Sequence, residues 1–150
     1  GRIAPAGPER RGYWAGFSWG HGRPHFFRSV LESIAFEYAG YLKILRALVP
    51  GFEAREVRVV GGGAKSAGWC RMKADVLDMP YRRLGRADIG TLGVALVAGH
   101  AVGLVDDLAT TAASASHPSD AAIVPRAEAV AAYRPAIARH LAFERALDPR

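Results

Sequence analysis

The sequence predicts an α/β fold, because short β-branched segments alternate with longer segments of helical periodicity. Residues 56–60 end in a β-branched run and lead directly into three glycines, after which a helical pattern starts. A second short strand-like segment follows that helix, as a strand–helix–strand unit requires. With 150 residues and 50% hydrophobic side chains, the whole chain, residues 1–150, is predicted to form a single domain.

The first third of the chain predicts a loop, a short strand and a long helix. Residues 1–12 are rich in turn formers, and residues 13–19 alternate aromatic with small side chains as a strand does. Helical spacing then continues from Pro24 until Pro50 stops it. The predicted apolar stripe of this helix consists of Phe27, Val30, Leu31, Ile34, Tyr38, Tyr41, Leu45 and Leu48. Leu42 lies off the stripe, which predicts packing on more than one side.

The segment after the three glycines predicts a second helix and a second strand. Ser66 is placed to cap this helix, which extends over residues 69–77 and ends at Asp78. Residues 81–84 have the pattern of the next strand.

The remainder of the chain predicts three further helices. Asp88 is the expected cap of a helix over residues 89–99. Because this helix is apolar on all sides, it is expected to be buried between layers. Residues 106–125 predict a loop with one short helix, and residues 126–147 predict a closing helix.

The positive charge of the chain does not favour a nucleic-acid function. The net charge is +6, but the 20 basic residues are scattered and form no run of five like charges. Asparagine and glutamine, which read base edges, are absent from the sequence. We interpret the basic residues as a solvated surface and expect no nucleic-acid partner.

Cysteine content and hydropathy predict a cytoplasmic protein without a membrane partner. Cys70 is the single cysteine, so no internal disulfide can form, which favours a reducing compartment. It is interpreted as a core residue of the second helix rather than a nucleophile. The most apolar stretch, residues 89–105, is interrupted by Gly93, Gly99, His100 and Gly103 and is too short for a membrane span. Since the chain begins at Gly1 without methionine, we expect it to be a piece of a longer protein.

No metal site and no catalytic residue are predicted within the chain. His21, His25 and His100 have no carboxylate or cysteine at the spacing of metal ligands. Asp75 and Asp78 share one helix face and are interpreted as a surface edge or a helix cap, not as an acid–base pair.

The three glycines are the strongest indication of a ligand site. Glycines permit positive φ and close approach of a ligand, and the N-terminus of the following helix suits an anion. The Walker phosphate loop is not matched, because Ala64 precedes Lys65 and Val59 occupies the position of its first glycine. The dinucleotide fingerprint is not matched either. This pattern alone supports a ligand site and a tight turn without a ligand about equally.

Several motifs in a fixed order connect the sequence to a known family. They are GYWAGF at residues 12–17, His25-Phe26, SVLE at residues 29–32, VVGGGAKS at residues 59–66, Trp69, ADV at residues 74–76 and GTLGVALVA at residues 90–98. Together these motifs resemble the FGGY family of carbohydrate kinases, and especially its xylulokinase-like branch. Phe17 and Ser33 depart from the family pattern, which leaves the substrate branch open.

The resemblance implies the C-terminal lobe of an actin-like, ribonuclease-H-like ATPase fold, truncated at its N-terminal strands. ATP and a sugar would meet between this lobe and an N-terminal lobe. The residues implied to form the adenosine side of the ATP site are Gly61, Gly62, Gly63, Ala64, Ser66 and Ala67. A side chain at Gly63 is expected to enter the space of the nucleotide and to strain a positive φ.

The resemblance also implies an ATP-dependent kinase that phosphorylates a ketose or polyol such as xylulose. The general base, the Mg²⁺ ligands and the sugar pocket are implied to lie upstream of Gly1, so the chain alone is expected to be inactive. An uncovered sheet edge predicts self-association, in the simplest case as a homodimer. The alternative is a non-catalytic lobe of the same type that serves nucleotide sensing or protein association.

Overall fold

The computed structural model describes residues 12–85, 88–115, 117 and 121–147. Its elements are α1 (Arg23–Leu48), β1 (Val57–Val59), a 3₁₀ turn (Gly62–Lys65), α2 (Ala67–Leu77), β2 (Tyr81–Arg83), α3 (Ile89–Ala101), α4 (Leu108–Ala115) and α5 (Ala127–Leu147). This alternation of strands and helices confirms the predicted α/β class. The loop predicted for residues 1–12 lies, apart from its last residue, outside the described residues.

The chain divides into two compact units, Gly1–Val30 and Leu31–Arg150. α1 contributes residues to both units. The single domain expected for residues 1–150 stays a prediction.

In the smaller unit, the segment predicted as a strand, residues 13–19, is an irregular loop. Gly16 has a φ of +81°, which changes the direction of the backbone, and no second strand is described beside this segment. The strand prediction is wrong because the aromatic side chains pack on α1 instead of facing a sheet. The ring centroids of Phe17 and Phe26 lie 4.4 Å apart, and Trp14 Nε1 donates to Ser29 Oγ over 3.1 Å.

The larger unit is built on a parallel strand–helix–strand unit. β1 pairs with β2, with Val57 opposite Tyr81 and Val59 opposite Arg83, and α2 connects the two strands. Tyr81 also exchanges two backbone hydrogen bonds of 3.0 and 2.8 Å with Ile123 in an antiparallel bridge. The two strands predicted on either side of α2 are confirmed, although each is shorter than the predicted segment.

The core of the larger unit forms around α2, which contributes to two clusters of buried side chains. The clusters are Cys70, Ala74, Leu77, Met79 and Tyr81, and Ala35, Phe36 and Val76. The first connects α2 to the strands, and the second connects it to α1 and α5. Burial of a large apolar side chain contributes about 1.5–3 kcal/mol, so these clusters supply much of the stability of this unit.

α1 confirms the predicted helix but buries a different face. None of the eight residues of the predicted stripe is buried, and Phe27 and Leu48 are 69% and 72% exposed. The buried residues of α1 are Ala35 and Phe36, and the off-stripe Leu42 packs against the core. The predicted stripe is wrong as the core-facing side because the apolar side chains of α2 and α5 pack around Ala35 and Phe36 instead.

α3 is present as predicted but is exposed rather than buried between layers. Val94 and Val97 are 72% and 62% exposed, and no residue of α3 is buried. Its contacts are mainly with α4, a short helix that covers little of it. Asp88 stands at the N-cap position, yet its side chain makes no capping hydrogen bond, so that part of the prediction is wrong. No helix among the described residues is long and apolar enough to cross a bilayer.

The predicted short helix within residues 106–125 and the closing helix are confirmed by α4 and α5. α5 starts one residue after the predicted start, contains Pro135, and packs against α2.

The polar centre of the larger unit is an ion pair between Asp75 and Arg126. Asp75 is completely buried and accepts hydrogen bonds from the Arg126 backbone N–H at 2.8 Å and from Nη2 at 2.6 Å. Hydrogen bonding to the Asp75 carboxylate raises the pKa of the Arg126 guanidinium, and the bonds attach the start of α5 to α2. The interpretation of Asp75 as a surface or cap residue is wrong, because the side chain is completely buried. Its partner, Arg126, lies 51 residues away, so the sequence spacing does not indicate the pair. Asp78 caps α2 as predicted, with a φ of 50°.

Candidate functional site

The three glycines form a tight turn between β1 and α2, called the glycine turn here (residues 61–64). Gly61 has a φ of +80°, and the Ala64 N–H donates to the Gly61 carbonyl over 3.1 Å. Gly61 and Gly62 are exposed, whereas Gly63 and Ala64 are half-buried. The first half of the turn therefore presents backbone, not side chains, to whatever lies beside it.

The three glycines differ in what requires them: backbone conformation at Gly61, packing at Gly63, and neither of these within the described residues at Gly62. Gly61 is the one with a positive φ, so any side chain there strains the backbone. A Cβ on Gly63 would lie 2.9 Å from Trp69 Cζ3, which is closer than a real contact. Around Gly62 no atom lies within 4 Å of a Cβ, and its φ is not positive. The expected positive φ thus occurs at Gly61 and not at Gly63, which is a correction to the sequence prediction.

Ser66 and Ala67 place the N-terminus of α2 directly after the glycine turn. Ser66 Oγ accepts a hydrogen bond from the Trp69 N–H at 3.3 Å, which confirms the predicted cap. Ala67 is exposed, and the first turn of α2 contains no acidic residue. A helix N-terminus without acidic compensation carries partial positive charge and favours an anion. The six residues predicted for the site therefore lie on one continuous stretch of backbone.

Cys70 supports the glycine turn from the core side. Its Sγ lies 3.7 and 3.6 Å from the carbonyl oxygens of Gly63 and Ala64, and its single S–H can donate to either of them. Burial raises the pKa of the Cys70 thiol, so it stays protonated and remains a donor at neutral pH. Cys70 is 1% exposed, which confirms its interpretation as a core residue.

Trp69, which the sequence identifies only as a residue of the family motifs, and Lys73, which the sequence does not single out, form the wall behind the turn. Trp69 Nε1 donates to the Leu31 carbonyl of α1 over 3.3 Å. Lys73 Nζ lies 3.5 Å from the centroid of the Trp69 ring and 5.0 Å from that of Tyr38. Lys73 is buried, and desolvation lowers its pKa. Their spacing of four residues on one helix is the sequence signal that could have paired them.

The histidines considered as metal ligands make local contacts. The Ser18 N–H donates to His21 Nδ1 over 3.0 Å, and the Gly22 N–H donates to His25 Nδ1 over 3.1 Å. His100 Nδ1 lies 2.6 Å from a backbone carbonyl. The three rings therefore serve local turns and helix ends in the described part of the chain.

A separate group of polar side chains lies on α1 and α5. The ligand atoms of Glu37, His140 and Glu144 lie within 4.8 Å of one another, and all three residues are half-buried. Only the spacing of four residues between His140 and Glu144 is visible in the sequence. The expectation of no metal in this chain stays a prediction.

The family assignment rests on the first two thirds of the chain. Residues 1–102 match the family described as FGGY family of carbohydrate kinases, C-terminal domain. The chain belongs to this family. The matching region contains β1, the glycine turn, α2, β2 and α3. The resemblance found in the motifs is therefore confirmed.

Curated FGGY relatives are sugar and polyol kinases. A xylulose kinase of Staphylococcus epidermidis is 32% identical over 104 residues, which cover 69% of this chain and 21% of that protein. An L-fuculokinase of Escherichia coli is 33% identical over 60% of this chain and 19% of its own length. A glycerol kinase of Bacillus anthracis is 36% identical over 63% of this chain and 19% of its own length. The chain spans about a fifth of the length of these relatives.

Solved structures of FGGY kinases share the fold. A xylulose kinase from Lactobacillus acidophilus superimposes with a TM-score of 0.74 at 23% identity, over 92% of this chain and 27% of that one. A xylulose kinase from Rhodospirillum rubrum gives a TM-score of 0.73 at 26% identity, over 95% of this chain and 28% of that one. The actin-like, ribonuclease-H-like fold class is thereby confirmed.

Proposed function

We propose that this chain forms the adenosine side of the ATP site in an FGGY sugar kinase. The observation that carries the proposal is Gly62, which is exposed and has open space where a side chain would stand. Neither backbone strain nor packing within the described residues requires a glycine at this position. A nucleotide lying against the backbone would require it.

The glycine turn and the N-terminus of α2 would contribute backbone groups rather than side chains. Exposed N–H groups at a helix N-terminus suit the negative charge of a nucleotide and bind without side-chain reorganisation. The turn is closed by its own hydrogen bond from Ala64 to Gly61, and Cys70 supports it, so it is organised before any ligand binds.

The acid–base and metal chemistry is assigned to a part of the kinase outside this chain. Neither the 3₁₀ turn nor the first turn of α2 contains an acidic residue that could hold Mg²⁺. In the proposed reaction, the γ-phosphoryl of ATP is transferred to a sugar hydroxyl, whose proton goes to an aspartate of the missing part. Mg²⁺ would neutralise phosphate charge there, beside the proposed N-terminal lobe.

The proposed acceptor is a ketose or polyol, with a xylulose-like sugar best supported. The relatives are a xylulose kinase, an L-fuculokinase and a glycerol kinase, and the two solved structures described above are xylulose kinases. The sugar pocket is assigned to the missing part, so the chain alone should not consume ATP with any of these acceptors. A cytoplasmic location, a homodimer and the absence of a nucleic-acid partner stay predictions.

The proposal is tested with valine at each of the three glycines in the full-length kinase. Gly62→Val should raise the KM for ATP about tenfold, an effect of ~1.4 kcal/mol, because the side chain enters nucleotide space. The KM for the sugar and the melting temperature should change little. Gly61→Val and Gly63→Val serve as matched controls, since strain at the first and the clash with Trp69 at the second should lower the melting temperature.

Equal changes of both KM values in Gly62→Val, or none in either, would remove the reason for placing the nucleotide here. Retained ATP binding in a full-length protein without kinase activity towards any sugar would instead favour the non-catalytic alternative.

A further inference from the structure

We infer that Trp69 is a positioning residue for the nucleotide, because its indole fixes the distance between the glycine turn and α1. The inference rests on the proposed function, since it names the side chain that holds the proposed ATP site in place. Trp69 itself is not expected to touch the nucleotide.

The first observation is the contact between the Trp69 ring and Gly63. A Cβ on Gly63 would lie 2.9, 3.4 and 3.8 Å from Cζ3, Cε3 and Cη2, which are three atoms of the six-membered ring. The backbone of Gly63 is therefore seated against the ring itself. Because a packed ring is difficult to compress, it limits how far the turn can move towards the core.

The second observation is that the ring is held at several points. Its Nε1 donates to the Leu31 carbonyl over 3.3 Å, and its backbone N–H donates to Ser66 Oγ over 3.3 Å. The Lys73 ammonium lies over the ring face, 3.5 Å from the centroid. A residue that is held at its backbone N–H, its ring nitrogen and its ring face has little freedom to move.

The third observation concerns Lys73, which has no role in the proposed reaction. Lys73 is 3% exposed, and its Nζ lies over both Trp69 and Tyr38. A lysine buried between aromatic rings is stabilised by the negative faces of those rings. In return, its stem and charge hold the indole in one orientation.

These contacts form a continuous path from the turn through Trp69 to α1 at Leu31. A small displacement of the indole would shift Gly62 and Gly63 relative to the N-terminus of α2. Misplacement by about 1 Å can reduce a rate by roughly a hundredfold when it affects a bound reactant. Loss of the indole should therefore weaken ATP use specifically and not merely the fold.

The test uses Trp69→Leu, Trp69→Phe and Lys73→Met in the full-length kinase, with Gly62→Val measured beside them. We expect Trp69→Leu to raise the KM for ATP about tenfold with a sugar KM unchanged within about twofold. Trp69→Phe keeps an aromatic ring over which Lys73 can lie and should raise the KM for ATP less. Lys73→Met retains the stem without the charge and should give the smallest increase.

A second measurement verifies the contact itself and does not require activity. Gly63→Ala alone should lower the melting temperature, because its methyl meets the indole. Combined with Trp69→Leu, the same substitution should cause no additional loss, since the ring is gone. Additive losses would show that the ring does not set the position of Gly63 and would overturn the inference.

The outcomes separate the inference from the proposed function. If Gly62→Val raises the KM for ATP while Trp69→Leu and Trp69→Phe only lower the melting temperature, Trp69 is a structural residue and the inference is wrong, but the nucleotide site stands. If Gly62→Val leaves the ratio of the two KM values unchanged, the site itself is misplaced, and the inference fails with it. Should Trp69→Leu not fold, the Trp69→Phe result decides.

Discussion

α2 and α3 differ in a way that their sequences would not suggest. α2 contains three charged residues within eleven, yet six of its residues are buried. α3 contains no aspartate, glutamate, lysine or arginine, yet none of its residues is buried. The difference follows from their neighbours, because α2 lies among α1, α5 and the two strands, whereas α3 contacts mainly α4. In this chain, apolar character and burial are therefore separate properties of a helix.

The exposed apolar surface of α3 has a consequence for the full-length protein. Val94 and Val97 of α3, together with Val102 and Leu104 directly after it, are each more than 60% exposed. Such a surface on a protein commonly marks a contact with something else. We expect it to be covered in the full-length protein and to promote self-association of the chain alone. The core around α2, by contrast, should be the same in the full-length protein and in the chain alone.

The largest expected effect concerns the buried charge of α2. Asp75→Asn should lower the free energy of unfolding by about 3 kcal/mol, because charge-assisted hydrogen bonds from Arg126 are lost and a buried amide N–H would face the guanidinium donors. Asp78→Asn is the matched control, since Asp78 is exposed at the end of the same helix and asparagine tolerates its positive φ. Chemical denaturation of both variants gives the comparison, and similar losses would contradict the central role of Asp75.

A pair of valines tests the difference between the two helices directly. Val76 of α2 is 5% exposed and Val97 of α3 is 62% exposed. Val76→Ala should lower the free energy of unfolding of the chain by about 2 kcal/mol, and Val97→Ala by less than ~0.5 kcal/mol. If Val97→Ala is as damaging as Val76→Ala, α3 is buried in solution and the comparison fails. In the full-length protein we expect the loss for Val97→Ala to increase.

The smallest expected effect is a loss of stability at alkaline pH. It comes from Tyr81 and Cys70, which lie in the core cluster between α2 and the two strands. Burial raises the pKa of Tyr81 from 10.0 to about 12. Its contribution to stability is therefore complete below pH 10 and is lost as the pH rises towards 12, by roughly 1–2 kcal/mol. The raised pKa of Cys70 acts in the same direction from about pH 9. Unfolding curves between pH 8 and 12 should be flatter for Tyr81→Phe, and an unchanged slope would contradict this assignment.

Local signals were sufficient for the elements around the glycine turn. A β-branched run, three glycines and Ser66 as a cap predict β1, the turn and α2 in the places where they occur. These features depend on interactions between residues that are close in the sequence. The six residues of the candidate site come instead from the family resemblance, and their contact with ATP stays a proposal.

The remaining features depend on partners that are distant in the sequence. Asp75 is buried because Arg126 reaches it, and the buried side of α1 is selected by α2 and α5. The role of Gly63 depends on the Trp69 ring, which no glycine pattern indicates. Helical periodicity predicts that α3 is a helix, but it does not show whether this chain provides a surface to cover it.

Hydrogen–deuterium exchange of the full-length protein with a non-hydrolysable ATP analogue tests the central claim most directly. Gly61 and Gly62 are exposed, so their amides should exchange quickly without a ligand. At saturating analogue, peptides that cover residues 61–67 should exchange more slowly, whereas peptides from α5 should not change. Unchanged exchange at residues 61–67, with the analogue demonstrably bound, would contradict the placement of the nucleotide at the glycine turn.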